Sequence, residues 1–85
     1  MKVLKFWAPW CGPCKMLAPI VEEVKQEQTD VEFEEINTDE SMDIADKFGV
    51  QSVPTVIILK DNTEVDRFTG FRPKGFINEL INTYK

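Results

Sequence analysis

Residues 6–15 read FWAPWCGPCK and contain the only two cysteines of the chain, Cys11 and Cys14. The apolar run that leads into them, VLKFWA at 3–8, is typical of a central strand. Glycine and proline follow Cys11, and proline is favoured in the first turn of a helix, where its missing N–H would have no partner. The stretch therefore predicts a strand and a helix, with one cysteine at the helix start and the other one turn later.

The remainder of the chain continues with strand and helix patterns. The later elements are a strand VEFEEIN at 31–37, a helix at 41–48, a hairpin of VPTVIILK at 53–60 with TEVDRFTG at 63–70, and a helix that begins near Pro73. The order is β-α-β-α-β-β-α, in which the first crossover makes two strands parallel and the hairpin adds an antiparallel pair. The sequence predicts an α/β fold with a four-stranded mixed sheet and three flanking helices, as a single domain over residues 1–85.

Composition and charge limit the possible functions. The chain has 85 residues, is 42% hydrophobic and carries a net charge of −5, which argues against nucleic acid or an anionic membrane as a partner. No apolar run approaches the ~20 residues that span a bilayer, and the start is too short for a secretory signal. A pair of cysteines this close in sequence closes too small a loop to stabilise a secreted domain. We therefore expect a monomer in a reducing compartment, the cytoplasm.

The cysteine pair could be half of a metal site, two small core residues or a redox couple. A closed zinc site needs four ligands, typically Cys and His, and the chain has no histidine and no third cysteine, so we expect no metal. Packing suits Cys14, within the helix, better than Cys11, where space for packing looks poor. At the helix start, free N–H groups and the helix dipole stabilise a thiolate, and Cys14 is placed to attack a mixed disulfide on Cys11. The residues favour a redox couple.

Four segments closely resemble thioredoxins. They are FWAPWCGPCK, NTDE at 37–40, FGVQSVPTVIILKDN at 48–62 and FTGF at 68–71. The resemblance implies a minimal thioredoxin fold of glutaredoxin-like length, without the strand and helix that thioredoxins usually carry first. It also implies a dithiol reductant of protein disulfides, in which Cys11 attacks, Cys14 resolves, a thioredoxin reductase supplies electrons and no cofactor is bound. Gly12 and Pro13, between the cysteines, match the reductant branch of the superfamily.

The resemblance further implies a substrate groove beside the cysteines. In thioredoxins the proline of Val-Pro-Thr follows a cis peptide bond, so Val53-Pro54 is expected to be cis; the simpler interpretation is a proline at a strand start. Backbone groups of Val53 would hold an extended substrate segment. Trp7 is expected to pack behind the site. The residues that match the groove are Trp10, Gly12, Pro13, Val53, Pro54, Thr69 and Gly70.

Lys5 and Glu35 are charged residues on otherwise apolar strand faces. Thioredoxins usually have an aspartate and a lysine at these positions, so the resemblance implies that the two charges are exchanged here. Because a buried unpaired charge is costly, we expect Lys5 to pair with Glu35; alternatively, Lys5 reaches water and Glu35 lies at the sheet edge. Our hypothesis is that the pair handles the proton of Cys14, either because Glu35 accepts it or because Lys5 favours the thiolate.

Two other functions remain open. The short length suggests a glutaredoxin-like, glutathione-dependent oxidoreductase, for which Arg72 and Lys74 could supply positive charge. A redox-independent binding subunit of a larger assembly is the third interpretation, and in that case the cysteines would be dispensable.

Overall fold

The computed structural model describes all 85 residues. Its elements are β1 (Lys2–Trp7), α1 (Gly12–Glu27), β2 (Glu32–Asn37), α2 (Met42–Lys47), β3 (Thr55–Lys60), β4 (Thr63–Thr69) and α3 (Lys74–Tyr84). The four strands form one sheet in the order β2-β1-β3-β4, with β1 parallel to β2 and antiparallel to β3, and β4 antiparallel to β3. The predicted α/β architecture and element order are confirmed. No helix has the length and apolar composition needed to cross a membrane.

The helices cover both faces of the sheet because side chains alternate along each strand. Val3 of β1 lies in a buried cluster with apolar side chains of α1 and α3. Phe6, on the other face of β1, lies in a second cluster with Ala45 of α2. The same alternation places Lys5 on the face covered by α1 and Lys2 on the face covered by α2. The charged residues of β1 therefore lie in two separate environments.

The hairpin strands are shorter than the sequence predicted. β3 begins at Thr55, which pairs with Phe6 of β1, so Val53 and Pro54 precede the strand and do not belong to it. Proline has no N–H to donate to a ladder, and the first rung accordingly falls one residue later. β4 ends at Thr69, before Gly70, whose φ of +80° departs from extended backbone. Both shortened ends lie beside the cysteines.

The end of α1 that lies farthest from the cysteines is joined to α3. The buried Gln28 caps this end, and its side-chain amide donates hydrogen bonds to Asn78 (3.1 Å) and Asn82 (3.2 Å) of α3. Two exposed ion pairs lie along the same junction, Lys74–Glu27 (2.8 Å) and Lys85–Asp30 (2.9 Å). The helix that carries the cysteines is thus held at its far end by polar contacts as well as by its apolar face.

Candidate active site around the cysteine pair

Cys11 and Cys14 form a disulfide at the start of α1, with their Cα atoms 5.3 Å apart. Cys11 is the N-cap residue: its backbone is extended, and its Sγ accepts a hydrogen bond from the Cys14 N–H at 3.2 Å. An N-cap acceptor satisfies one of the helix N–H groups that have no intrahelical partner, and the helix dipole favours negative charge at this end. The local geometry therefore favours a charged sulfur at Cys11.

Both cysteines are buried, with only 4% of Cys11 and 3% of Cys14 exposed. The expectation of poor packing around Cys11 is wrong. The Cys11 N–H donates to the Ala8 carbonyl at 3.2 Å, which folds the chain back on itself before α1 begins. Ala8 then packs against both cysteines, and the half-buried Trp7 and Val53 pack against the same cluster. The disulfide is therefore enclosed by apolar side chains from two segments, the end of β1 with the residue after it and the loop before β3.

The Val53-Pro54 peptide bond is cis, and this segment lies against the disulfide. The Gly70 N–H donates to the Pro54 carbonyl at 2.9 Å, which brings the end of β4 to the same place. The neighbouring Thr69 is exposed and pairs with Thr55 in the ladder. The N–H and C=O of Val53 make no backbone hydrogen bond within the chain. A stretch of backbone with unused hydrogen-bonding groups therefore lies beside the cysteines.

Trp10 is the most exposed large apolar side chain, at 69%. Its indole Nε1–H donates to the two carboxylate oxygens of Asp39, at 3.1 and 3.4 Å. Asp39 is itself oriented by its backbone N–H, which donates to Asn37 Oδ1 at 2.9 Å. Trp10 and Val53 line a shallow depression of about 130 Å³. The sequence analysis did not identify Asp39 as a partner of Trp10, because no local pattern links positions 29 residues apart.

Lys5 and Glu35 form the ion pair that the sequence predicted. They lie opposite each other in the β1–β2 ladder, and Lys5 Nζ is 3.1 Å from Glu35 Oε1. The alternative in which Lys5 reaches water is wrong, since only 4% of this residue is exposed. Glu35 lies on the edge strand, and 57% of its side chain is exposed. One member of the pair is thus buried and the other faces water.

A cleft of about 200 Å³ lies behind Cys14. Lys5 and Glu35 line it from the sheet, and Cys14 and Lys15 line it from α1. The other lining residues are Trp7, Ala8, Pro9 and Ala18. Trp7 therefore lies behind the site, as the sequence analysis expected. Lys5 and Cys14 therefore line the same small, mostly apolar space.

The two cations suggested for a glutathione site are already engaged. The Arg72 guanidinium donates to the Phe71 carbonyl at 2.8 Å and lies over the Phe76 ring, 5.6 Å from its centre. Lys74 Nζ is 2.8 Å from a Glu27 carboxylate oxygen, and this hydrogen bond raises the pKa of Lys74. Both cations thus already have partners within the chain, which weakens the glutaredoxin-like interpretation. No group of three or more His, Cys, Asp or Glu side chains is placed to hold a metal ion.

Comparison with known proteins gives one consistent result. The thioredoxin family model matches residues 1–83. Thioredoxin of Bacillus subtilis is 49% identical over 80 residues, which cover 93% of this chain and 77% of the relative. Thioredoxin 1 of Synechococcus elongatus is 47% identical over 83 residues, which cover 96% of this chain and 78% of the relative. Among solved structures, thioredoxin of Fasciola hepatica superposes with a TM-score of 0.93 at 39% identity, over 99% of this chain and 80% of that one.

Proposed function

This chain belongs to the thioredoxin family and is a thiol–disulfide oxidoreductase, and from that premise we propose that it reduces protein disulfides with Cys11 as the attacking sulfur and Cys14 as the resolving sulfur. The observation that carries the proposal is the Cys11–Cys14 disulfide at the start of α1. A disulfide and its dithiol differ by two electrons. The electrons therefore reside in the chain's own side chains, and no separate cofactor has to carry them.

In the first step, the Cys11 thiolate of the reduced protein attacks one sulfur of a substrate disulfide. The substrate S–S bond breaks, one substrate cysteine leaves as a thiolate, and a mixed disulfide joins the substrate to Cys11. The N-cap position supports this step because the N–H groups and dipole of α1 stabilise the thiolate. Gly12 and Pro13 support it as well: a Cβ at Gly12 would meet nothing within 4 Å, so this position next to Cys11 is uncrowded, and Pro13 lies in the first turn of the helix.

In the second step, Cys14 loses its proton and its thiolate attacks the Cys11 sulfur. The mixed disulfide breaks, the second substrate cysteine leaves as a thiolate, and the Cys11–Cys14 disulfide forms. The chain has then given two electrons to the substrate. A thioredoxin reductase returns them through the same exchange in reverse, which leaves both cysteines reduced.

We assign substrate binding to the surface around Trp10 and Val53. Trp10 offers an exposed aromatic face, and the unpaired N–H and C=O of Val53 can add an extended substrate segment by backbone hydrogen bonds. Pro54 supports the site from behind Val53. Thr69 and Gly70 form its other side, since the Gly70 N–H is bonded to the Pro54 carbonyl.

We also propose that the chain works as a monomer in the cytoplasm and binds neither nucleic acid nor membrane. A net charge of −5 disfavours contact with polyanions. A reducing compartment keeps thiols available between turnovers. Sedimentation of the reduced protein checks the monomer, and a dimer at working concentration would contradict it.

The experiment that tests the dithiol mechanism is a pair of cysteine variants. Cys14→Ser is expected to accumulate a covalent complex with a disulfide-containing protein, because the resolving thiol is gone, whereas Cys11→Ser is expected to form none. Mass spectrometry under non-reducing conditions separates the two. A covalent complex through Cys14 in the Cys11→Ser variant would reverse the assigned roles.

The electron donor and the redox-independent interpretation need separate assays. Turnover is expected with NADPH and a flavoprotein thioredoxin reductase, and little turnover is expected with glutathione; the opposite result would support the glutaredoxin-like interpretation. The double variant Cys11→Ser, Cys14→Ser is expected to lose all activity. Retention of the biological activity by that variant would show that the chain acts as a binding subunit.

A further inference from the structure

Lys5 is the only charged residue among the buried residues of the protein, and it borders the cleft behind Cys14. We propose that Lys5 sets the rate at which Cys14 resolves mixed disulfides: its ammonium, held in the cleft by Glu35, stabilises the Cys14 thiolate that attacks. This inference rests on the proposed dithiol mechanism. It extends the mechanism by naming the charge that acts in the second step.

A structural role does not account for this lysine. Removing an ammonium from water is costly even after relaxation, and pairing offsets this cost only when the geometry is good. The partner here, Glu35, is mostly exposed, so water weakens its attraction for Lys5. The rest of the face is apolar, and a methionine or leucine at position 5 would pack without that cost. The lysine is therefore better explained by what its charge does in the cleft.

Lys5 is the strongest fixed charge next to Cys14. The charged groups that line the cleft are Lys5 from β1, Glu35 from β2 and Lys15 from α1. Lys15 and Glu35 are exposed, so solvent and salt screen their effect on the buried sulfur. Lys5 is the buried member of the pair, and it lines the cleft together with Cys14. Because solvent screens the Lys5 charge less than that of Glu35, the cleft favours the Cys14 thiolate over its thiol.

The expected decrease in the resolution rate follows from thiol chemistry. A nearby positive charge favours the charged form of a thiol, and Glu35 neutralises part of that effect here. Without the ammonium, a smaller fraction of Cys14 is thiolate at neutral pH, while the more basic sulfur is a better nucleophile, which offsets part of the loss. The net effect of removing the ammonium is a resolution step about three- to tenfold slower at neutral pH.

The test is a stopped-flow reaction of the reduced protein with dithiobis(nitrobenzoate), an aromatic disulfide that releases a coloured thiolate at each step. Attack by Cys11 gives a first phase whose rate rises with reagent concentration, and resolution by Cys14 gives a second phase that is independent of it. The ratio of the second rate constant to the first is measured against pH. A variant that is poorly folded or attacks slowly through Cys11 changes the first rate constant as well. A change in the ratio therefore reports on the resolution step.

Matched variants isolate the charge. Lys5→Met is expected to lower the ratio about three- to tenfold at neutral pH and to move the midpoint of its pH profile upward, and Lys5→Arg is expected to restore both. Lys2→Met is the control: Lys2 pairs with Glu34 at 2.9 Å across the same two strands, but on the face covered by α2. It is expected to leave the midpoint where it is. If Lys5→Met does not fold, Lys5→Gln replaces it.

Several outcomes would overturn the inference. A pH profile of Lys5→Met that matches the wild type would show that the ammonium does not act on Cys14. An equal shift in Lys2→Met would show a general charge effect. Slower resolution in Glu35→Gln together with an unchanged rate in Lys5→Met would make the carboxylate the proton acceptor, in place of the role given to Lys5. Absence of the second phase in the wild type would instead refute the dithiol mechanism itself.

Discussion

Asp39→Ala is expected to raise KM for a disulfide-containing protein substrate about fivefold with little change in kcat. Asp39 holds the indole of the exposed Trp10 through a hydrogen bond of 3.1 Å. A net hydrogen bond at such a site contributes about 1 kcal/mol, and freeing an interfacial side chain costs a similar ~0.5–1.5 kcal/mol when a ligand has to order it again. Binding weakened by about 1 kcal/mol corresponds to about a fivefold change in affinity at 25 °C.

We expect KM to change and kcat to stay the same because the Trp10–Asp39 hydrogen bond orders the binding surface and involves neither cysteine. The assay is steady-state reduction of a protein disulfide, with kcat and KM determined separately. Asp46→Ala is the matched control, since it removes the same charge from an exposed position of α2 that has no contact with Trp10. In a Trp10→Ala background, Asp39→Ala is expected to have no further effect on KM.

Three results would refute this reasoning. An unchanged KM in Asp39→Ala would show that the orientation of the indole does not matter for binding. A fall in kcat with KM unchanged would place the effect in the chemistry. An equal rise in KM in Asp46→Ala would mean that the loss of a surface negative charge, and not of the hydrogen bond, is responsible.

Three further predictions concern the scaffold and are measured by urea unfolding. Leu17→Ala removes a fully buried side chain of α1 and is expected to cost about 3 kcal/mol; a loss below about 1 kcal/mol would contradict the packing of that face. Gly70→Ala is expected to cost about 1–2 kcal/mol because φ is +80° there, whereas Gly75→Ala in α3 is expected to be neutral or slightly stabilising. The hydrogen bond from Arg67 holds the pKa of Glu64 below its ordinary value. The pair therefore stabilises the fold at any pH above the ordinary pKa of a glutamate, and this stabilisation is lost as the pH falls through the lowered pKa of Glu64. Glu64→Gln is accordingly expected to be less stable than the wild type at neutral pH and equally stable in strong acid; a pH-independent difference would contradict the pairing.

Those parts of the site that follow from local or periodic patterns could be predicted from the sequence. The start of α1 follows from Pro13 and from the cysteine spacing, which sets one helical turn between the sulfurs. The meeting of Lys5 with Glu35 follows from the two-residue period of strands that a short crossover makes parallel. In both cases the prediction depends only on residues within one element or on two adjacent strands.

The contacts that were not predicted join segments far apart in the chain. The burial of Cys11 depends on Val53, which comes from a different loop, and on the turn at Ala8. The hydrogen bond between Trp10 and Asp39 depends on how the loops that follow β1 and β2 meet beyond the ends of these strands. Neither hydrophobic periodicity nor local propensity predicts such long-range contacts, because they depend on how the elements that the loops connect pack together.

The junction between α1 and α3 has a consequence for how the protein tolerates its surroundings. The Gln28 amide is neutral and buried, so neither dissolved ions nor protons compete with its bonds to Asn78 and Asn82. The exposed ion pairs beside it, by contrast, weaken as ionic strength rises. At high salt, the amide hydrogen bonds of Gln28 are therefore expected to hold α1 to α3 after the ion pairs have weakened. The geometry of the cysteines at the other end of α1 is expected to persist under conditions in which a junction made only of ion pairs would loosen.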